Sequence, residues 1–147
     1  MGKEIERKYL VKDDSYLHMA SGNVEIVQGY LSADADATVR VRLWGDKGRL
    51  TVKSRNRGAV RGEWEYSVPE SDAREMLGLC GSRVLEKTRY QVPFCGRIWE
   101  VDVFHGRHTG LVLAEVELDS ETQAYELPPF VGTEVTGDPR YYNSNLF

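Results

Sequence analysis

Cysteine, histidine and long apolar runs are all scarce in this chain of 147 residues. Two cysteines, Cys80 and Cys95, are too few for a disulfide framework, and their separation matches no zinc-site spacing. No apolar run approaches the length of a membrane span, and the chain opens on a charged strand rather than on the apolar segment of a secretory signal. We therefore expect a cytoplasmic protein that does not enter a membrane.

Positive charge is not in excess either. The 19 Lys and Arg residues are outnumbered by 23 Asp and Glu residues, which gives a net charge of -4 and an isoelectric point near 5.4. A dedicated nucleic-acid-binding protein usually carries a basic surface, so nucleic acid is not an expected partner. The length suits one domain over residues 1–147, and assembly as a homodimer is compatible with the sequence.

Alternating apolar and polar residues, separated by turn residues, predict a mainly antiparallel β protein. Helices are expected near Ser15–Ala20, over Glu70–Leu79 and after Asp138. The predicted strands are Glu4–Val11, Asn23–Ser32, Thr38–Trp44, Arg49–Arg55, Ala59–Val68, Val84–Val92, Arg97–Phe104 and Leu111–Leu118. Eight strands can close around side chains or one small ligand, so we expect an α+β fold with an eight-stranded antiparallel β-barrel, a tunnel with a few helices packed outside.

One face of nearly every predicted strand is charged. In the first strand Glu4, Glu6 and Lys8 alternate with Ile5, Arg7 and Tyr9. The same phase continues through Arg40, Arg42, Lys53, Arg55, Arg61, Glu63, Glu65, Lys87, Arg89, Glu100, Asp102, Glu115 and Glu117. Strand by strand, such charges are typical of a solvated sheet face. However, neutral polar residues are rare at these positions, and a closed barrel cannot turn both faces to water, so we predict that the charges line the lumen.

The three tryptophans fall on different faces. Trp44 is in phase with Arg40 and Arg42 and is expected at a tunnel mouth, whereas Trp64 and Trp99 share the apolar phase and are expected in the core.

A lumen with both signs of charge predicts a ligand with both signs. Unpaired buried charges each cost several kcal/mol, and pairing with one another repays this only in part. The forked donors of Arg suit phosphate oxygens, and carboxylates without His or Cys suit Mg²⁺ or Mn²⁺. Phosphoryl transfer needs mainly cationic side chains, metal and a positioned water. The pattern therefore indicates a polyphosphate bound together with divalent cations.

The series resembles the signature of the CYTH superfamily, the triphosphate tunnel metalloenzymes. Glu4-x-Glu6-x-Lys8 is similar to the ExExK motif of that family, and the ordered charged pairs after it strengthen the match. The C-terminal sequence GTEVTGDPRYYNSNL also resembles the ending of the short bacterial members. The resemblance implies one tunnel domain over residues 1–147 that binds a linear triphosphate and requires Mg²⁺ or Mn²⁺.

Site residues follow from the same resemblance. The residues that it implies as metal ligands are Glu4, Glu6, Asp102, Glu115 and Glu117. The residues that it implies as substrate-binding are Lys8, Arg40, Arg42, Lys53, Arg55, Lys87 and Arg89. The residues that it implies as catalytic are Lys8, Tyr30, Glu63 and Glu65. Tyr30 stands where short members have a proton acceptor, but a phenol is a poor base unless cations lower its pKa, and a packed strand aromatic is an equal alternative.

Hydrolysis of inorganic tripolyphosphate to pyrophosphate and phosphate is the activity we expect. Class IV adenylyl cyclases carry a His-Phe pair before the glutamates, whereas Gly2 and Lys3 precede Glu4 here. The sequence also has no obvious insertion that would seat a large organic group. The alternatives are a cyclase of that class, a thiamine or nucleoside triphosphatase, and a non-catalytic polyphosphate-binding module.

Overall fold

The computed structural model describes residues 2–147 and shows a nearly closed antiparallel β-barrel. Its strands are β1 Glu4–Val11, β2 Gly22–Ala33, β3 Thr38–Trp44, β4 Lys47–Lys53, β5 Val60–Arg61, β6 Glu63–Val68, β7 Val84–Phe94, β8 Arg97–Phe104, β9 Val112–Glu117 and β10 Val131–Glu134. The helices are α1 Tyr16–Met19 and α2 Glu70–Leu79, and 3₁₀ turns occupy Gly106–His108, Pro139–Tyr141 and Asn143–Asn145. Within the described part of the chain, no helix has both the length and the apolar character needed to cross a bilayer.

The barrel closes at β1. One edge of β1 pairs with β9, and the other edge is shared between β5 near Glu4 and β10 near Tyr9. Because β5 and β6 are separated only by Gly62, one segment pairs with β1 at its start and with β4 along the rest. Counted as one strand, β5 and β6 complete a ring of eight, in the order β1-β9-β8-β7-β2-β3-β4-β6. The predicted barrel is confirmed, with β10 as an additional strand outside the ring.

Gly62 marks the corner of this closure. Its N–H donates to the Ser54 hydroxyl at 2.9 Å, and a Cβ at this position would lie 2.7 Å from the same oxygen. The glycine therefore lets the chain bend sharply between two ladders, which divides the predicted single strand Ala59–Val68.

Two other expectations differ from the structure. Strand β10 was not predicted, because four residues after Pro128-Pro129 are too short to give a clear alternation. The helix expected after Asp138 is instead a pair of 3₁₀ turns. The Asp138 carboxylate accepts a hydrogen bond from the Arg140 N–H at 3.0 Å and caps the first of them.

Apolar residues cover the outside of the barrel in two clusters. Helix α2 covers the outer face of β2, β3 and β4, where Val41 and Leu43 pack against Ala73 and Cys80. Helix α1 and the segment before β10 cover β1, β7, β8 and β9, with Trp99 fully buried as predicted. The expectation for Trp64 was wrong: its side chain lies outside both clusters and is 42% exposed.

The C-terminal residues fill one end of the lumen. Four lumen-facing residues of β2, β7, β8 and β9 are apolar or aromatic there: Tyr30, Leu85, Phe104 and Leu113. They pack against Val135 and Leu146, and the ring of Tyr30 lies 6.0 Å from that of Phe147. The other end, where β3 ends and β4 begins, remains lined by charged residues and Trp44.

Candidate active site

The lumen beyond this apolar end is an ionic cavity of about 260 Å³. Its charged lining comprises Lys8, Arg40, Arg42, Arg49, Lys53, Arg61, Lys87, Arg89, Glu4, Glu6, Glu63, Glu65, Glu100, Glu115 and Glu117. Eight of these are basic and seven acidic, so their formal charges sum to +1. Strand alternation places them: each strand sends every second side chain inward, and the ladder partners point the same way.

Arginine side chains line one wall with unused donors. Arg40 and Arg42, on β3, are both buried. The Nε–H groups of Arg40, Arg42 and Arg49 are buried and find no acceptor among residues 2–147. A buried donor without a partner is costly, so this wall suits a ligand that brings several acceptor oxygens.

Glu65 is the shared counter-ion of that wall. Its carboxylate lies 2.8 Å from Arg49, 3.5 Å from Arg40 and 3.8 Å from Arg42. It also accepts a hydrogen bond from the Thr51 hydroxyl at 2.9 Å. Burial raises the pKa of Glu65, but the Thr51 hydrogen bond and these arginines outweigh burial and bring the pKa below its ordinary value. Glu65 is therefore a carboxylate that holds guanidinium groups in place.

Asp102 lies behind the lining and fixes two bases. Its carboxylate pairs with Arg89 at 2.7 and 2.9 Å and with the Lys87 ammonium at 2.7 Å. Both Lys87 and Asp102 are 1% exposed. Burial opposes ionisation, but Arg89 and Lys87 together hold the pKa of Asp102 far below its usual range. Burial likewise lowers the pKa of Lys87 to about 7, against the attraction of Asp102.

Three carboxylates form an acidic group on β1 and β9. Burial, followed by the proximity of Glu115 and Glu4, raises the pKa of Glu6 well above its usual range. Each neighbour has a basic partner: Glu4 lies 2.8 Å from Lys53, and Glu115 lies 3.9 Å from Lys8. Burial also raises the pKa of the exposed Glu117 nearby, with Glu4 as the next cause.

A divalent cation fits this donor set. Crowded carboxylates that raise the pKa of one member are relieved when a cation sits between them, and all-oxygen ligands suit Mg²⁺ or Mn²⁺. In residues 2–147, no three Asp, Glu, His or Cys side chains already stand in a metal-binding arrangement. Glu4 and Glu115 instead point to Lys53 and Lys8, so a cation bound between them would require these carboxylates to turn from their basic partners.

Glu63 differs from Glu65. Its carboxylate is 3.5 Å from the Lys53 ammonium, which also holds Glu4 at 2.8 Å. Burial and the neighbouring Glu4 raise the pKa of Glu63 above its ordinary value. A carboxylate with a raised pKa accepts a proton more readily at neutral pH than an ordinary one.

Tyr30 sits between the apolar end and the ionic cavity. Its buried hydroxyl accepts a hydrogen bond from the Gln28 amide at 2.8 Å. The Gln28 Nε2 also lies 3.4 Å from the side-chain Oδ1 of Asn143. This Oδ1 accepts a hydrogen bond from the Lys87 ammonium at 2.7 Å. Tyr30 is thus connected to Lys87 through the C-terminal segment.

Most predicted site residues meet in the lumen, and two do not line it. Asp102 lies behind Lys87 and Arg89. Arg55 points away, because β4 ends at Lys53 and the strand phase is lost beyond it; its exposed guanidinium pairs with the exposed Asp36 at 2.6 Å. Arg49 was missed by sequence reasoning, although it is in phase with Lys53. Trp44 lines the cavity as predicted.

A family comparison accounts for this arrangement. The model of the CYTH domain matches residues 2–142. The chain belongs to the CYTH family. Among curated proteins, a CYTH relative from Acetivibrio thermocellus is 51% identical over 147 residues, 99% of this chain and 94% of that protein, and is named an inorganic triphosphatase. A relative from Nitrosomonas europaea, 39% identical over 97% of this chain and 95% of its own length, carries the same name.

Solved structures agree with the CYTH assignment. The crystal structure of an inorganic triphosphatase superposes with a TM-score of 0.69 at 36% sequence identity. The match covers 99% of this chain and 95% of that one. The sequence resemblance to the CYTH family and the barrel expected from it are both confirmed.

Proposed function

We propose that this protein hydrolyses inorganic triphosphate to pyrophosphate and phosphate with the help of a divalent cation. The observation that carries the proposal is the mixed ionic lining of the cavity, with eight basic and seven acidic residues. A formal sum of +1 cannot neutralise a triphosphate alone, whereas bound cations add the missing positive charge. The relatives named inorganic triphosphatase, at 51% and 39% identity, support the same substrate.

The basic residues bind the phosphoryl oxygens. Those assigned to this role are Lys8, Arg40, Arg42, Lys53, Lys87 and Arg89. Arg40 and Arg42 have buried Nε–H groups without acceptors, and phosphate oxygens would satisfy them. Asp102 and Glu65 orient these bases rather than touch the substrate, since both accept hydrogen bonds or ion pairs from the surrounding cations. Arg55 is left outside the site.

The acidic group holds the cation. Glu4, Glu6 and Glu115, together with the nearby Glu117, are the assigned residues, because burial and the proximity of Glu115 and Glu4 raise the pKa of Glu6 well above its usual range. When bound, the cation draws charge from the phosphoryl oxygens and lowers the pKa of a water molecule. Mg²⁺ and Mn²⁺ are the ions of choice for an oxygen-only set, and either would meet the same carboxylates.

Proton transfer falls to residues beside the phosphate site. Glu63 accepts a proton from the attacking water, because its pKa is raised and its carboxylate lies beside Lys53 and Glu4. Lys8 contacts the substrate and stabilises the charge that develops on the phosphoryl oxygens. Tyr30, connected to Lys87 through Gln28 and Asn143, orients that ammonium and keeps water from the apolar end of the lumen.

The free cysteines support a cytoplasmic location. Cys80 and Cys95 are both free, Cys80 buried and Cys95 exposed. Free thiols suit a reducing environment, so we place the enzyme in the cytoplasm.

A phosphate-release screen over tripolyphosphate, pyrophosphate and ATP, with and without Mg²⁺ or Mn²⁺, tests the function. We expect phosphate from tripolyphosphate only with a divalent cation. Glu6→Gln should reduce the rate by more than about 100-fold, because the acidic group loses a charge that meets the cation.

Glu86→Gln is the matched control. Glu86 is exposed on the outer face of β7, next to the lumen residue Lys87, and should leave the rate unchanged. Formation of cyclic AMP from ATP would contradict the proposed hydrolysis and would show a cyclase activity instead. Tight binding without any product would reduce the protein to a binding module.

A further inference from the structure

Trp44 stands at the charged end of the lumen, and three arginine side chains lie close to its ring. The guanidinium carbon of Arg42 lies 5.1 Å from the centroid of its ring, that of Arg89 5.5 Å and that of Arg49 5.9 Å. All three distances are within the range of a cation–π interaction. One indole therefore contacts three like charges at the entrance of the proposed phosphate site.

The three arginines come from three different strands. Arg42 precedes Trp44 by two positions on β3, Arg49 lies opposite Arg42 on β4, and Arg89 reaches across from β7. On β2, which separates β3 from β7, Ile26 is the ladder partner of both Trp44 and Lys87. The indole thus joins guanidinium groups that the backbone ladders leave on separate strands.

Gathering these charges requires compensation. Burial, and then repulsion from Arg40 and Arg89, lowers the pKa of Arg42 to about 9. Glu65 is the counter-ion of Arg42 and Arg49, whereas Arg89 pairs with the buried Asp102 at 2.7 Å and with Glu100 at 3.2 Å. Glu65 is 27% and Glu100 36% exposed in their side chains, so part of their attraction is screened by water. The electron-rich face of the indole supplies attraction that does not compete with an incoming anion for the guanidinium N–H groups.

We propose that Trp44 is a positioning residue for triphosphate binding, which holds Arg42, Arg49 and Arg89 together at the open end of the lumen. Arg49, with its side chain 38% exposed, is the outermost of the three and is the first to meet the entering polyanion. Without the indole, among residues 2–147, Arg42 and Arg49 keep only Glu65 as a partner, and Arg89 keeps only its carboxylates. The three guanidinium groups are then less firmly held toward one another, and part of their preorganisation is lost. The inference rests on the proposed function, because it assumes a triphosphate as the ligand.

Calorimetric titration with tripolyphosphate, without divalent cation, tests the inference independently of hydrolysis. Trp44→Leu should weaken binding about 10-fold, because three weak contacts act together. Trp44→Phe, which keeps an aromatic face, should restore binding to within about threefold. Trp64→Leu removes the exposed indole outside the barrel and should bind like the unmodified protein.

Steady-state kinetics give a second measurement. Trp44→Leu should raise KM about 10-fold while kcat changes less than about threefold, since the indole acts on binding through the arginines. A general folding defect would instead lower kcat and would not be relieved by phenylalanine.

Tryptophan emission keeps the test valid if Trp44→Leu does not fold. In Trp64→Phe protein, the remaining indoles are Trp44 and the fully buried Trp99. Tripolyphosphate should change the tryptophan emission, because its binding displaces the guanidinium groups that lie next to the Trp44 ring.

Three results would overturn the role of Trp44: binding by Trp44→Leu within twofold of the unmodified protein, equal loss in Trp64→Leu, or constant emission during binding. Failure of the unmodified protein to bind tripolyphosphate would instead overturn the proposed function, and this inference with it.

Discussion

At the scale of single residues, the molecule depends on carboxylates that organise bases. Asp102 is the clearest case, because it satisfies both Arg89 and Lys87 from behind the lumen wall. It was predicted as a metal ligand, and neither its burial nor its partners could be derived from the sequence. Alternation gives the face on which a carboxylate lies, but the depth of the side chain depends on which neighbours reach it.

Asp102→Asn should lower the free energy of unfolding by about 3–5 kcal/mol, because two buried cations lose their counter-ion. Chemical denaturation at pH 7 measures the loss. Asp36→Asn is the control: it removes the carboxylate of the exposed Arg55 pair and should change stability by less than about 1 kcal/mol.

The pH dependence of that stabilisation follows from the depressed pKa of Asp102. The unfolded chain protonates this carboxyl near its ordinary pKa of about 4, whereas the folded protein does so only at lower pH. The stabilisation is therefore complete above about pH 5 and is lost as the pH falls from about 4 towards the folded pKa. An equal loss of unfolding free energy in Asp102→Asn and Asp36→Asn at pH 7 would contradict a structural role for Asp102.

At the scale of elements, close approach between α2 and the barrel depends on glycine. A Cβ on Gly48 of β4 would lie 2.7 Å from the Val68 carbonyl oxygen and 2.9 Å from the Ala73 Cβ. Because the first of these atoms is backbone, it cannot move aside without disturbing the ladder between β4 and β6.

Gly48→Ala should therefore destabilise the protein by about 1–3 kcal/mol. Gly78→Ala is the matched variant, because Gly78 lies inside α2 and a Cβ added there would have no atom of another element within 4 Å. It should stabilise by about 0.5–1 kcal/mol through the higher helix propensity of alanine. Thermal unfolding of both variants measures the two opposite shifts, and a stabilising Gly48→Ala would disprove the contact argument.

Element boundaries show what the sequence could predict. The bounds of β1, β3, β8 and α2 match the prediction, because each has a clear period and a turn or proline at its limit. Strand β10 was missed because its pairing with β1 is a tertiary choice. Arg55 was assigned to the lumen because alternation continued past Lys53, although the last ladder pair of β4 is Lys53 with Glu63.

At the scale of the whole molecule, charged side chains line most of the barrel lumen, where a small barrel usually has apolar side chains. The family and the barrel were predicted correctly because the inward charge repeats on seven strands. The exposure of Trp64 was not predicted, because alternation separates the two faces of a strand but does not tell whether a helix covers the outer face.

Tripolyphosphate should stabilise the folded protein strongly. At a concentration about 100 times the Kd, binding adds about 2.7 kcal/mol and raises the Tm by roughly 5–10 °C for a chain of this size. Sodium chloride should shrink the shift, because salt screens the attraction at the exposed end of the lumen.

A pair of variants locates the effect. Arg40→Gln, inside the lumen, should reduce the shift in Tm, whereas Arg55→Gln, outside it, should preserve the shift. An equal reduction in both variants would show that the anion binds to the surface rather than in the barrel.

The pairing of Lys53 with Glu4 and of Lys8 with Glu115 has a thermodynamic consequence. A base that turns to a phosphoryl oxygen releases its carboxylate for a cation, and a cation that takes the carboxylate releases the base. Anion and cation would then be heterotropic effectors of each other, and each would tighten the binding of the other by the same factor.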